Sequence, residues 1–450
     1  MILLNLYKNF AMKIVALFFM LFVPLNAFAQ QGFVMDEGRK KVVIPFQLHS
    51  NLIFISLNVN GIDLTFLVDT GVSETLLFSL DEKKELKLDG VEKVQLKGLG
   101  SDYAIDALVT KSVKIKLPHL TDNNHTLYIV LDQEINFSPN VGIAVNGIIG
   151  YHFFKNFLID IDYVRKRIVV SRPSEKVKEK LKNYTALPFV LEKNKPYTTI
   201  NAVFKDEIIP VKVLMDSGSS DAVWLFANRS TKIEVPKKNI PDFLGRGLSG
   251  EIYGHKARIK SVKIDRYSFD DPIVAFPDSL FTQNVFSDYN RLGSVGGEVL
   301  RRFRQIFDYQ NQILYLKPNK FYEEPFLFDK SGIEIQHDGL QWVQERIELG
   351  TQYSGGLSEN SSAGEVKSFT YKFELKPIYR IFNIRKGSPA DIAGARQGDI
   401  IVTINKKLAH KFTLDQIVKL LTSGENKVVR MELLREGEFV SISFQLKVIL

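Results

Sequence analysis

Residues 66–71 read Phe66-Leu67-Val68-Asp69-Thr70-Gly71, and residues 213–218 read Val213-Leu214-Met215-Asp216-Ser217-Gly218. Each is an apolar, strand-forming run that drives into an acidic turn, and a second apolar run follows, Leu76-Leu77-Phe78 in one and Val223-Trp224-Leu225-Phe226 in the other. The likeness continues downstream. Asn146-Gly147-Ile148-Ile149-Gly150 corresponds to Gly293-Ser294-Val295-Gly296-Gly297, and the last glycine follows its aspartate by 81 residues both times (150 − 69 and 297 − 216). An acid–tyrosine pair and a strand come next in each copy, Asp162-Tyr163 and Asp308-Tyr309. Between these landmarks lie two matched hairpin candidates, Gly98–Tyr103 and Gly247–Tyr253. One such triplet carries little weight, because a motif that short arises by chance. Two at equal spacing mark an internal duplication.

A lone Asp-Thr-Gly reads as a strand-end Asx-turn. Two copies offer more, since two carboxylates about 3 Å apart cannot both ionise, and a pair sharing one proton holds an acid and a base at once. Asp69 and Asp216 are therefore the candidate catalytic residues. Thr70, Gly71, Ser217 and Gly218 complete their turns, glycine permitting a backbone approach that a Cβ would block. Other chemistries lack parts. The seven histidines form no His-Glu-x-x-His pair, no Gly-x-Ser-x-Gly elbow appears, and Gly98-Leu99-Gly100 lacks the lysine and spacing of a phosphate loop. No metal or cofactor is expected, and absent cysteine excludes thiol catalysis and thiolate metal sites.

These motifs resemble the aspartic peptidases, both pepsin-like and retroviral-type. Asp69-Thr70-Gly71 and Asp216-Ser217-Gly218 are similar to that family's Asp-[Thr/Ser]-Gly signature, and the Gly150 and Gly297 elements to its hydrophobic-hydrophobic-Gly. The resemblance covers about residues 40–318. It implies a mostly β protein of two pseudo-twofold related β-barrel lobes, with an endopeptidase site between them acting on peptide or protein substrates. It also implies that the Thr70 and Ser217 hydroxyls brace the opposite loops and that Tyr103 and Tyr253 sit on flaps. Ser219, three residues after Asp216, is in place to donate to that carboxylate, whereas Val72 holds the matching place after Asp69. On this basis Asp69 is expected to carry the shared proton. The competing readings are a catalytically idle peptide-binding scaffold on the same fold, and lobes pairing between two chains. Intact aspartates in both copies favour catalysis, and 147 residues between them (216 − 69) favour a monomer.

The 450-residue chain fits about three domains, and its 45% apolar and 24% charged residues are ordinary for a globular protein. Lys8 and Lys13, the apolar run Ile14–Leu25 and Ala27-Phe28-Ala29 read as a signal peptide over 1–29, which places the mature chain in the periplasm or outside the cell. Its removal would lower the formal charge from +8 to +6 and leave no membrane span. The basic residues are dispersed, against nucleic-acid binding. The expected order is lobe 1 over 30–172, a lysine-rich helical linker over 173–189, lobe 2 over 190–318 and a second linker over 319–332.

Residues 333–450 differ in character. Ser388 and Pro389 open a helix that Gly394 closes, and Thr413 with Gln416 forms a capping box for a helix over Leu414–Leu421. Gly387-Ser388-Pro389-Ala390 through Asn405 resembles the PDZ family, an α+β fold that binds a C-terminal peptide as an added strand. The resemblance places the carboxylate loop at Gly339-Leu340-Gln341-Trp342 and an inserted flexible loop over 351–367.

Overall fold

The computed structural model describes residues 32–80, 85–96, 104–132, 135–205, 207–282, 290–353 and 365–450. The leader expected over 1–29 and the hairpin candidate at Gly98–Tyr103 lie outside these residues.

The sequence duplication is a duplication of structure. Strand Ile62–Val68 delivers Asp69, and Glu207–Met215 delivers Asp216. Each takes a parallel partner in the same register, Gly147–Ile149 beside Phe66 to Val68 and Gly293–Val295 beside Val213 to Met215. That short strand pairs antiparallel on its other edge with the strand after the acidic turn, Thr75–Leu77 or Val223–Leu225. The four short strands are buried at every residue, whereas the two that deliver the aspartates are exposed where they begin and buried where they end.

A six-stranded sheet joins the lobes. Its order is Thr185–Pro188, Ile313–Pro318, Phe303–Asp308, Leu158–Asp162, Arg167–Ser171 and Lys41–Pro45. The connector between lobes forms the expected helix, Glu175–Leu181, and its end is not free chain but the outer strand of this sheet. At the central seam Asp160 stands opposite Ile306. Asp160 is buried and fully engaged, taking Arg304 Nε and Nη2 at 2.8 Å each and Lys180 Nζ at 2.8 Å. A buried carboxylate needs such partners. Ile159, Phe154, Phe307 and Tyr309 carry one apolar core across the seam, so the two lobes share it.

The C-terminal domain has its own core, with Ile333, Ile381, Ile401, Ile417, Leu433 and Phe444 at its centre. Ser388 caps Pro389–Ile392 by accepting from Asp391 N–H. Both bonds of the Thr413–Gln416 capping box form, opening helix Leu414–Thr422.

Three expectations here need correction. Gly339-Leu340-Gln341-Trp342 is no loop. It lies inside strand Ile333–Tyr353, where Leu340 faces Pro377 and Trp342 faces Leu375 of strand Glu365–Ile384. Gly339, at φ 80°, is a bulge in that ladder, and Trp342 is 71% exposed. An apolar residue at every second place is what a strand with one apolar face requires, so the pattern spells ladder as readily as loop. The chain over 351–367, expected as a flexible loop, continues this ribbon on both sides of residues 354–364, which are not described. Residues 319–332 are no slack linker either. Arg302, 1% exposed, donates to the carbonyls of Tyr322 and Glu324 and lies 3.9 Å from the centre of the Phe326 ring. Phe326, Phe328 and Leu450 join the core shared by the two lobes. Among the described residues no helix is long and apolar enough to cross a membrane.

Candidate active site

The two acidic turns meet at the centre of the molecule. Thr70 N–H donates to Ser217 Oγ at 3.0 Å, and Ser217 N–H donates to Thr70 Oγ1 at 2.9 Å. Each hydroxyl then passes its own hydrogen to the strand that leads into the other turn, Thr70 Oγ1 to Met215 O at 2.6 Å and Ser217 Oγ to Val68 O at 2.9 Å. Four reciprocal bonds between buried groups fix the loops against each other. Farther out the exchange repeats. Asn51 of the first lobe donates to Ser220 O at 2.9 Å, and Ser73 donates to Lys193 O at 2.5 Å. Ser50-Asn51 and Lys193-Asn194 are matching turns, all four residues at positive φ.

This grip brings the carboxylates together. Gly71 N–H donates to Asp69 Oδ1 at 2.6 Å and Gly218 N–H to Asp216 Oδ1 at 3.0 Å, one backbone donor for each acid. A Cβ on Gly218 would stand 2.2 Å from the Asp69 carboxyl, and one on Gly71 would stand 2.9 Å from Asp216 Oδ1. Glycine is required at both places because the opposite acid fills the space.

Burial raises both carboxyls above the usual range, Asp69 well above it, where the neighbouring Asp216 charge adds to the effect. Asp216 is raised less, because the Arg291 guanidinium favours its ionised form. Of the two, Asp69 is held the more strongly toward its protonated form. Ser219 is not the cause: among the described residues its hydroxyl makes no hydrogen bond to Asp216, and Ser219 Oγ lies 3.0 Å from where a Cβ on Gly296 would sit. The asymmetry expected from Ser219 comes from Arg291 instead, a residue the sequence reading passed over.

Of the two flap candidates, Tyr103 lies outside the described residues. Tyr253 stands on hairpin Asn239–Gly247 and Gly250–Arg258, where its hydroxyl donates to Glu251 Oε2 at 2.7 Å and its ring meets Phe243 at 5.5 Å. The four residues Gly339, Leu340, Gln341 and Trp342 are part of the C-terminal ribbon and not of this centre. Among the described residues no group of three or more His, Asp or Glu side chains could hold a metal ion.

A family model described as aspartyl protease matches residues 55–153, and one described as PDZ domain matches residues 381–435. The crystal structure of the aspartic proteinase from Irpex lacteus matches at 12% identity and a TM-score of 0.38, covering 63% of this chain and 99% of that one. No curated protein matches. The chain thus couples a mostly β, two-lobed unit, similar to aspartyl proteases over residues 55–153, to a PDZ domain at its C-terminal end.

Proposed function

We propose that this protein is an aspartic endopeptidase that hydrolyses peptide bonds with a water held between Asp69 and Asp216. The observation that carries the reading is the pair of facing carboxyls braced by the Thr70–Ser217 exchange, both raised by burial. Ionised Asp216 takes a proton from the water as its oxygen adds to the peptide carbonyl, and protonated Asp69 gives its proton to the carbonyl oxygen. The tetrahedral diol then collapses: the C–N bond breaks, the amine nitrogen receives the proton held by Asp216, and Asp69 recovers one from a hydroxyl. No charge leaves the site during the cycle, so a dry, buried pair can perform it.

The PDZ domain recruits or orders peptide and protein substrates. The basic, apolar, Ala-Phe-Ala sequence of residues 1–29 directs the chain out of the cytoplasm. The decisive experiment incubates the mature chain with a mixed peptide library at several pH values, beside Asp69→Asn and Asp216→Asn. Each substitution is close to isosteric and should lower turnover about a thousandfold or more with the fold retained. Near-normal turnover in either variant would sink the dyad.

A further inference from the structure

Hairpin Asn239–Gly247 and Gly250–Arg258 belongs to the second lobe, yet it touches three parts of the molecule. Leu248 at its tip packs against the first lobe's apolar cluster of Phe78, Ile135 and Val141, which also takes in Val72, three residues past Asp69. The hairpin therefore spans from lobe to lobe. Its shaft is held by the PDZ domain. Arg385 Nη2 lies 3.0 Å from Asp242 Oδ1, with the two side chains 12% and 5% exposed, and the Phe243 ring meets Phe382 edge-on at 5.7 Å.

Lys256, on the hairpin's other strand, lies 3.5 Å from Asp242 and 3.6 Å from Asp221. Asp221 sits five residues after Asp216, and its carbonyl accepts from Glu298 N–H at 3.3 Å behind the catalytic turn. Arg385 also reaches Asp329, at 3.5 Å, in the segment joining lobe 2 to the PDZ domain. Alternating charges thus run Asp221, Lys256, Asp242, Arg385, Asp329, from the catalytic loop through the hairpin into the C-terminal domain. Charges this enclosed contribute little net stability, but removing one leaves its neighbours unpaired, so the row fixes one docked arrangement. The domain rests on the first lobe as well: His49 Nδ1 lies 3.0 Å from Asp415 Oδ2, and Leu414 Cβ lies 3.2 Å from where a Cβ on Gly142 would be.

We infer that the PDZ domain is a latch on this hairpin. Docked, it holds the hairpin across the gap between the lobes through Arg385, Asp242 and the Phe243–Phe382 contact. A polypeptide too bulky to thread beneath the hairpin reaches Asp69 and Asp216 only after the domain has swung away. Short peptides pass without that step. The substrate claim rests on the peptidase reading, while the conformational claim stands apart from it.

Hydrogen–deuterium exchange on the full-length chain tests the latch without any turnover. Arg385→Ala is expected to speed exchange over residues 239–258 at least tenfold, while the interlobe strands 158–171 and the PDZ strands 428–445 keep their protection. Arg385→Lys, which retains the charge, should stay near the parent. Should Arg385→Ala lose protection everywhere, Phe382→Ala, which leaves no charge unpaired, takes its place with the same expected result. Unchanged exchange over 239–258, with the sheets still protected, overturns the latch. In parallel, the released variant should raise kcat/KM for a folded protein several-fold relative to a short peptide. Fast hairpin exchange without hydrolysis of any substrate would sink the peptidase reading alone. Hydrolysis by a variant whose hairpin exchange is unmoved would sink the latch alone.

Discussion

Val145 and Arg291 occupy the same place in the two lobes, two residues ahead of the short central strand, and both are buried, at 1% and 3% exposure. Around them the halves agree in strand register, in the crossed Thr70 and Ser217 bonds and in the turns that brace the opposite loop. Duplicated backbone has placed two carboxyls equivalently. One replaced side chain sets them apart, because the Arg291 guanidinium favours ionised Asp216 in addition to Lys195, which acts on both acids. Geometry came from the repeat, and the difference between the two carboxyls came from its breaking.

The symmetric part of this comparison should respond symmetrically. Thr70→Val leaves Ser217 N–H without an acceptor and Met215 O without a donor; Ser217→Ala does the same to Thr70 N–H and Val68 O. Each is expected to cost about 2–5 kcal/mol in urea unfolding, from two buried groups left unsatisfied. The two costs should agree within about 1 kcal/mol. A much larger gap would mean that one hydroxyl alone braces the loops.

The asymmetric part should respond in pH. Arg291→Met keeps the buried volume near its own and removes the charge that favours ionised Asp216. With that charge gone the pair takes its first ionisation at higher pH, so the acidic limb of kcat/KM moves up. A limb that stays or moves down, in a variant with unchanged circular dichroism, would show that Arg291 does not differentiate the acids. The smallest effect belongs to Val72→Ser. Since Ser219 makes no bond to Asp216 among the described residues, a serine at 72 should leave the acidic limb in place. It should cost about 1 kcal/mol by removing apolar contact from the first lobe's cluster. A downward shift would restore the hydroxyl account.

What the sequence disclosed was local or repeated. Two acidic turns at equal spacing announced the lobes and the dyad, and Thr413 with Gln416 announced a helix start that forms as written. Contacts set by tertiary approach left no such mark. Arg291 looked like any basic residue in a loop, because its burial depends on packing against Phe226 rather than on its neighbours in the chain. Asn51 and Ser73 gain meaning only once the lobes face each other. Segment 319–332 carried linker composition, yet Arg302 and the apolar core claim it. A cut near Glu324 would strip Phe326, Phe328 and Leu450 from that core.

The interlobe seam bears on how a duplicated protein recognises its own halves. The pairing is centred on Asp160 opposite Ile306, with Leu158 opposite Asp308 and Ile161 opposite Gln305. Two copies of the first lobe meeting along the same edge in the same register would set Asp160 against Asp160, with Cβ atoms about 5 Å apart and no Arg304 to answer either. Two copies of the second would set Ile306 against Ile306 and leave both Arg304 side chains without Asp160, the acid that holds them. The first half therefore repels itself and fits its sibling. Should the two ever be made as separate polypeptides, that buried carboxylate would act as an address, keeping the first half from pairing with itself and sending it to its sibling.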